Sequence, residues 1–325
     1  MQLSNETDNI LKIITEFGPL RAGIIKKISK LSTKTVYKHL SKLLDENLIV
    51  KTKYKNIAYY KTQSILLRIG SSLSKNEKVI NEQYIYFSPN ASLIRGIEGF
   101  QVWCKSNNFD YQKEVEKYSK KLQSINKIRV NGLISAKKTI LSGKNQIYLD
   151  NIFFSDFYNI NHYGKTKLGQ LVYIGKSSQN KDLIREIATL VRQPIQKLIK
   201  KYNIRFIGFI PPSVSRKVQF MEMFEKYLAF DKPQLKIEKI KSVTQVPQKS
   251  LKRLPDRIIN AQTSIFIDPT QKFNHNILLI DDATGSGATL NETAKKIKKI
   301  SKEKIKVIGY TVVGSYKGFD VISEV

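Results

Sequence analysis

The stretch HNILLIDDATGSGATLNETAKKIKK, His275 to Lys299, decides the fold of the carboxyl-terminal half. It opens on an apolar run, Ile277 to Ile280, that suits a strand buried on both faces, and then turns abruptly to Asp281-Asp282 and a glycine-rich turn. Gly285 and Gly287 let that turn curl tightly, while Thr284, Ser286 and Thr289 add hydroxyls to its backbone amides. A helix predicted to begin near Thr289 or Leu290 points its positive end into the same place. Residues Ala283 to Thr289 therefore read as a cup for a phosphate. The two acids repel that phosphate, so their task differs: they hold the neutral hydroxyls of an attached sugar or, indirectly, a divalent cation. A phosphorylated ribose meets both demands. No Gly-Lys-Ser or Gly-Lys-Thr closes the loop, which separates it from the Walker type.

Outward from the loop, apolar strand-like runs alternate with helical patterns. IRFIGFI (204–210), QLKIEKI (234–240), SIFI (264–267), NILLI and KVIGYTVVG (306–314) read as strands. KLGQLVYIGK (167–176) reads as a strand or short helix, DLIREIATLVRQPIQKLIKKY (182–202) as a long helix, and Phe220, Phe224 and Leu228 align on another. Such alternation argues for an α/β architecture with a mainly parallel sheet covered by helices. The acids then emerge at its carboxyl edge, where ligands bind in this architecture.

ILLIDDATGSGATL (277–290) resembles the signature of type I phosphoribosyltransferases, in which two acids engage the ribose hydroxyls and the next loop grips the 5-phosphate of phosphoribosyl pyrophosphate. The resemblance implies ribose binding by Asp281 and Asp282, and 5-phosphate binding by Ala283, Thr284, Gly285, Ser286, Gly287, Ala288 and Thr289. YGKTKLGQLVYIGKSSQNKDL (163–183), FIGFIPPSVSRKVQFMEMFEKYL (206–228) and QVPQKSLKRLPDRIINAQTSIFI (245–267) are similar to segments of the ComF/GntX branch. By that likeness Ser213, Ser215, Arg216 and Lys217 approach the pyrophosphate, and Lys249, Lys252, Arg253 and Arg257 belong to a mobile loop that covers it. Mg²⁺ follows from the expected ligand, carried by its pyrophosphate, with no direct protein ligation. Two departures stand out: Gln219 and Met221 flank Phe220 where the family has Gly and Asn, and the amino-terminal cysteine cluster of many relatives is missing, so zinc is not expected. For an acceptor base, only Tyr310, Tyr316 and Phe319 offer stacking surfaces.

The amino-terminal end has a different character. DNILKIITEFG (8–18) places Ile10, Leu11, Ile14 and Phe17 on one stripe, and AGIIKKISK (22–30) offers a second short helix. Ser32 caps a third, TKTVYKHLSKLLDEN (33–47), with Val36, Leu40, Leu43 and Leu44 at helical spacing. LIVKTKYKNIAYYKT (48–62) alternates on both sides of Lys55-Asn56 and reads as a hairpin. Residues 1 to 65 hold twelve Lys or Arg against five Asp or Glu, a net +7 that suits phosphate contacts. This order of elements resembles the winged helix-turn-helix domains of prokaryotic regulators. The likeness implies double-stranded DNA as partner, with Thr33, Lys34, Thr35, Tyr37, Lys38 and Lys42 on the recognition helix and Lys53 and Lys55 on the wing. A protein-binding or dimerisation module is the alternative use of such a unit, and paired recognition helices imply a homodimer. His39 reads as packing.

Between the two lie KNEKVINEQ and YIYFS, then helices around Phe100 and over YQKEVEKYSKKLQSINK (111–127), whose Val115, Tyr118, Leu122 and Ile125 form a packing stripe or a dimer seam. The expected division is a winged helix-turn-helix domain at 1–65, a linker and helical connecting region at 66–149, and a phosphoribosyltransferase-like domain at 150–325.

Composition admits polyanionic partners, with 56 Lys or Arg facing 27 Asp or Glu among 325 residues, a formal net charge of +29, although a chain rich in Lys, Ile, Asn and Tyr is also what adenine- and thymine-rich codons produce. Cys104, the single cysteine, excludes an intrachain disulfide, and with Trp103 it reads as buried filler. No apolar run approaches the length of a membrane span, and MQLSNETDN lacks the features of an export signal, so a cytoplasmic address is expected. Three functions stay open on the sequence: a DNA-binding regulator that senses phosphoribosyl pyrophosphate or a related phosphorylated ribose, resembling purine repressors of certain bacteria; an active Mg²⁺-dependent phosphoribosyltransferase; and a competence-related protein that handles single-stranded DNA.

Overall fold

A computed structural model describes residues 4–46, 48–62, 73–89, 92–137, 146–240, 254–301 and 304–315. The chain divides into two compact units, Met1–Ser119 and Lys120–Val325.

The first unit begins with three helices, α1 (Asn5–Phe17), α2 (Ala22–Ser29) and α3 (Thr33–Asp45), and a hairpin, β1 (Ile49–Tyr54) with β2 (Ile57–Thr62). Ser4 and Ser32 accept from the backbone amides of Thr7 and Thr35, which starts α1 and α3 where a serine side chain can satisfy an orphan N–H. Lys55 and Asn56 both take positive φ, the backbone a two-residue hairpin turn requires. Ile10, Ile14, Ile25, Val36, Leu40, Leu43, Ile49 and Tyr60 close one small core. The expected α1 stripe is shifted: Ile13 is buried and Phe17 is 54% exposed, because the helix begins at Asn5 and Gly18 ends it beyond the reach of that core.

His39 is more than filler. Its Nδ1 lies 2.8 Å from the hydroxyl of fully buried Thr7, and its Nε2 lies 3.0 Å from Glu6, so one imidazole ties α3 to α1. Replacing it by alanine takes from the buried Thr7 hydroxyl one of its two partners, the other being Ser4 Oγ at 2.8 Å, and empties a buried site between the helices. We expect His39→Ala to cost about 1–3 kcal/mol, read as faster native-state hydrogen exchange across α1 and α3; unchanged exchange would refute the tie.

Further along the unit, a capping box of Ser74 and Glu77 opens α4 (Lys75–Gln83), followed by the pair β3 (Ile85–Phe87) and β4 (Leu93–Arg95), and α5 (Gly96–Ser106). Phe100 meets Tyr84, Trp103, Tyr111 and Tyr118 with ring centroids 5.1 to 6.4 Å apart, an aromatic core that also buries Cys104. Burial pushes that thiol up to about 12, so it is no nucleophile. The unit boundary falls within α6 (Tyr111–Ile128), whose Val115, Tyr118, Leu122 and Ile125 are all buried in the chain itself; that stripe is packing and does not serve as an exposed dimer seam.

The second unit is built on a six-stranded mixed sheet in the order β5-β6-β7-β12-β11-β8, with β5 (Arg129–Val130), β6 (Leu133–Ser135), β7 (Asn151–Phe157), β8 (Ile204–Phe209), β11 (Asn276–Thr284) and β12 (Val307–Gly314). β7, β12, β11 and β8 run parallel, and β6 and β5 add an antiparallel margin that brings residues 129–135 into the sheet, upstream of the expected start at 150. Every residue of β12 is buried, as a central strand covered on both faces demands. The covering helices form two packed sets, α7 (Lys167–Ser177) with α8 (Lys181–Lys201) and α9 (Phe220–Leu228), and α10 (Leu254–Ser264) with α11 (Ala288–Ile300). KLGQLVYIGK thus folds as helix, capped by Thr166.

One expectation needs correction here, and one strand was not anticipated. QLKIEKI and SIFI contribute only β9 (Ile237–Lys239) and β10 (Ile265–Ile267), which pair with each other in a separate two-stranded sheet. NIFFSDF, read as no element from the sequence, is the parallel strand β7. Its polar residues are satisfied across the fold, Ser155 by the Tyr310 hydroxyl at 2.7 Å and Asp156 by Arg129 at 2.6 Å. Tyr310 is consequently part of the core and offers no stacking surface, while Tyr316 and Phe319 lie outside the described residues.

Candidate functional site

The carboxyl end of β11 carries the acidic pair. Its neighbours β8 and β12 register with it through Ile280 and Thr284 respectively, so the strand is held on both sides up to the acids and beyond them on one. Asp281 Oδ1 accepts the backbone N–H of Asp282 at 2.8 Å. The chain then turns through Gly285 and Ser286 to Gly287, whose φ of 66° is the left-handed conformation that favours glycine, and Gly287 precedes the first residue of α11. Ser315 N–H donates to Thr284 O at 3.0 Å and anchors the start of the turn; the Ser286 hydroxyl accepts from Ala288 N–H at 3.4 Å at its end. The amides of α11's first turn face this loop, where the helix dipole favours an anion.

Two clefts share the acids. The one over the turn, about 80 Å³, runs from Asp281 to Leu290 and is closed by Arg257. Arg257 sits on α10, a helix fixed to α11 by Gln262 donating to Glu292 at 3.1 Å and by Lys296 donating to Gln262 O at 2.7 Å. Expected in a mobile loop, Arg257 is instead a buried arginine of a packed helix, lining the cleft over the turn. Lys249, Lys252 and Arg253 lie outside the described residues.

The other cleft, about 150 Å³, lies on the β8 side of the acids. Its lining joins apolar Ile210, Pro211, Pro212, Phe220 and Met221 with Lys176, Lys239 and Arg216, and Lys176 and Lys239 act on Asp281. Of Ser213, Ser215, Arg216 and Lys217, the first and third line this cleft, whereas Ser215 and Lys217 are exposed and do not. Lys239 donates to Ser213 Oγ at 2.6 Å, and Arg216 donates to the backbone carbonyl of Lys176 at 2.5 Å. Lys176 Nζ pairs with Asp282 Oδ2, both side chains largely buried at 13% and 15% exposure.

The electrostatics follow from this crowding. Desolvation, and then the charge of Asp282, push the Asp281 carboxyl up to about 7, against the opposing pull of the Asp282 amide, Lys176 and Lys239. Desolvation likewise pushes the Lys239 ammonium down, against the pull of both acids. Two cations thus balance the acid pair inside the cleft. Lys176 and Lys239 carried no local signal, being two among 56 basic residues whose separation from the acids in sequence hides their proximity.

No family model matches this chain, and no curated protein does. The geometry must speak for itself: a loop-and-helix cup with an arginine over it on one side of two carboxylates, and a cleft of basic and apolar lining on the other. Such a site can take an anion at each end of a polyhydroxyl group.

On the first unit, Thr33, Lys34, Tyr37, Lys38 and Lys42 of α3 and Lys53 and Lys55 of the hairpin are exposed. Thr35 differs, since its hydroxyl lies 2.7 Å from the Ser32 cap. Among the described residues no cluster of three His, Cys, Asp or Glu could hold a metal, and no helix is long and apolar enough to cross a membrane.

Proposed function

We propose that the protein is a DNA-binding regulator, a winged helix-turn-helix domain joined to a phosphoribosyltransferase-like domain that senses phosphoribosyl pyrophosphate or a related phosphorylated ribose. The observation that carries the reading is Asp281-Asp282 at the end of a buried parallel strand, followed at once by a left-handed glycine and a helix amino terminus. The cup takes the 5-phosphate, the acids the ribose hydroxyls, and Arg216, Lys239 and Ser213 the pyrophosphate side. Mg²⁺ enters as part of the ligand, on its pyrophosphate. Exposed Lys34, Lys38 and Lys42 support duplex contact, and a homodimer would place two α3 helices on successive half-sites.

The test measures binding of the full-length protein to duplex DNA from its own upstream region by fluorescence anisotropy, at fixed salt, with and without Mg²⁺ and phosphoribosyl pyrophosphate, against a scrambled duplex. We expect specific affinity to change with ligand, by about 5–150-fold for an ordinary coupling energy. Lys34→Ala, Lys38→Ala and Lys42→Ala together should reduce the slope of log affinity against log salt by about 2.7. Specific binding that ignores a bound ligand, or no specific binding, sinks the regulator.

The apolar lining of Ile210, Pro211, Pro212, Phe220 and Met221 in the cleft of the acids favours one second reading. A planar acceptor base seated there would make the protein an active phosphoribosyltransferase. Mg²⁺-dependent pyrophosphate release with an acceptor would establish it; none across a broad panel of bases and amines would remove it.

A further inference from the structure

Asp282 has two claims on it. As a ribose-binding acid it would offer an oxygen to a sugar hydroxyl, and one of its two oxygens, Oδ2, is engaged by Lys176 Nζ from the last turn of α7. The pair is mostly removed from water, so neither charge gives up its partner without a replacement: an uncompensated charge in such a setting is costly, all the more beside a second carboxylate. Lys239, another cation of the cleft, is already hydrogen-bonded to Ser213, and Arg216 to the Lys176 carbonyl. Of the three, Lys176 is the one in direct ion-pair contact with the acids, while Lys239 acts on them through space.

We propose that Lys176 is an exchangeable clamp that makes the site selective for a sugar bearing an anionic group at its anomeric end: Lys176 trades Asp282 for an incoming diphosphate, and the freed carboxylate takes a sugar hydroxyl. The inference rests on the phosphorylated-ribose reading of Asp281 to Thr289. The exchange keeps the ammonium paired with an anion and gives the carboxylate a hydroxyl donor, while the Lys239 ammonium still acts on both acids. A sugar with only a 5-phosphate fills the cup but gives Lys176 nothing in return, so it must bind around the intact pair or break it uncompensated. The clamp is also placed to report what it holds. Arg216 grips the Lys176 carbonyl and Val218 N–H donates to Gln179 Oε1 at 2.8 Å, so the segment 216–218 is tied to the end of the helix that carries the clamp.

The experiment is calorimetric titration of the full chain, in Mg²⁺, with phosphoribosyl pyrophosphate and with ribose 5-phosphate, for wild type, Lys176→Met and Lys176→Arg. Wild type should prefer the diphosphate by at least about 10-fold; Lys176→Met should lose about 10-fold or more for it, while ribose 5-phosphate binds as well or better. Lys176→Arg, which keeps the charge, should retain the preference and guards against a methionine variant that merely misfolds. Equal weakening of both ligands in Lys176→Met together with a lost preference in Lys176→Arg, or an unchanged affinity for the diphosphate in Lys176→Met, overturns the clamp. Wild type that binds both ligands equally also overturns it but leaves the phosphorylated-ribose site standing. Wild type that binds neither removes the site and the clamp together.

Discussion

If the acids hold the ribose, Asp281→Asn with Asp282→Asn should abolish the response to phosphoribosyl pyrophosphate and weaken its binding by at least about 10-fold, as two charge-assisted hydrogen bonds of roughly 1.5–3 kcal/mol each give way to neutral ones of about 1 kcal/mol. The sign of this result is informative because simple charge counting predicts the opposite. Removing two negative charges from a cleft that holds Lys176, Lys239 and Arg216 leaves a more positive site, which attracts any polyanion more strongly. Inorganic pyrophosphate, which has no hydroxyls, should therefore bind the double variant as well as or better than wild type. Titration of both ligands against both proteins separates the cases. If the double variant binds phosphoribosyl pyrophosphate more tightly, the acids serve to restrain the cations and do not hold a sugar.

The second large effect is on stability and its dependence on pH. Asp281 has a folded-state value near 7, raised above the ordinary carboxylate range by desolvation first and by Asp282 second. Between about pH 4 and 7 the folded protein therefore binds more protons here than the unfolded chain does, and stability falls as pH rises through that window. The contribution is fully present below the unfolded value and is lost above 7. Asp281 keeps partial exposure along the cleft, which limits the effect to on the order of 2 kcal/mol. Asp281→Asn should accordingly flatten the fall in melting temperature between pH 5 and pH 8 and exceed wild type at pH 8. Identical pH profiles for the two proteins would show that Asp281 ionises like an ordinary surface acid. A site that weakens the fold to keep two acids together is the pattern expected where function sets the residue choice.

These two predictions concern the part of the protein that its sequence announces most openly. The run Ile277 to Ile280, the acidic doublet and the paired glycines are local signals, each tied to a backbone requirement that no distant residue changes, and β11, the turn and α11 follow from them. The same holds for α3, where Ser32 caps and Val36, Leu40 and Leu43 repeat, and for the hairpin at Lys55-Asn56.

What surrounds the loop was settled otherwise. β7 carries Ser155 and Asp156 in an otherwise apolar run, and they are tolerated there because Tyr310 and Arg129, far away in sequence, arrive as partners. β9 and β10 carry strand-like patterns, yet which sheet they join depends on neighbours that no pattern specifies. The charged lining is the clearest case. Lys176 lies 106 residues from Asp282, and Arg257 reaches the turn from a helix read as mobile loop. By itself the sequence determined the strand, the turn and the capped helices, since those depend on residues within a few positions of one another. Only the tertiary structure decided which cations face the acids, because a charge is recruited by crossovers that fold helix ends and strand ends to one edge of the sheet, and pairing energy there depends on distance and burial rather than on order along the chain.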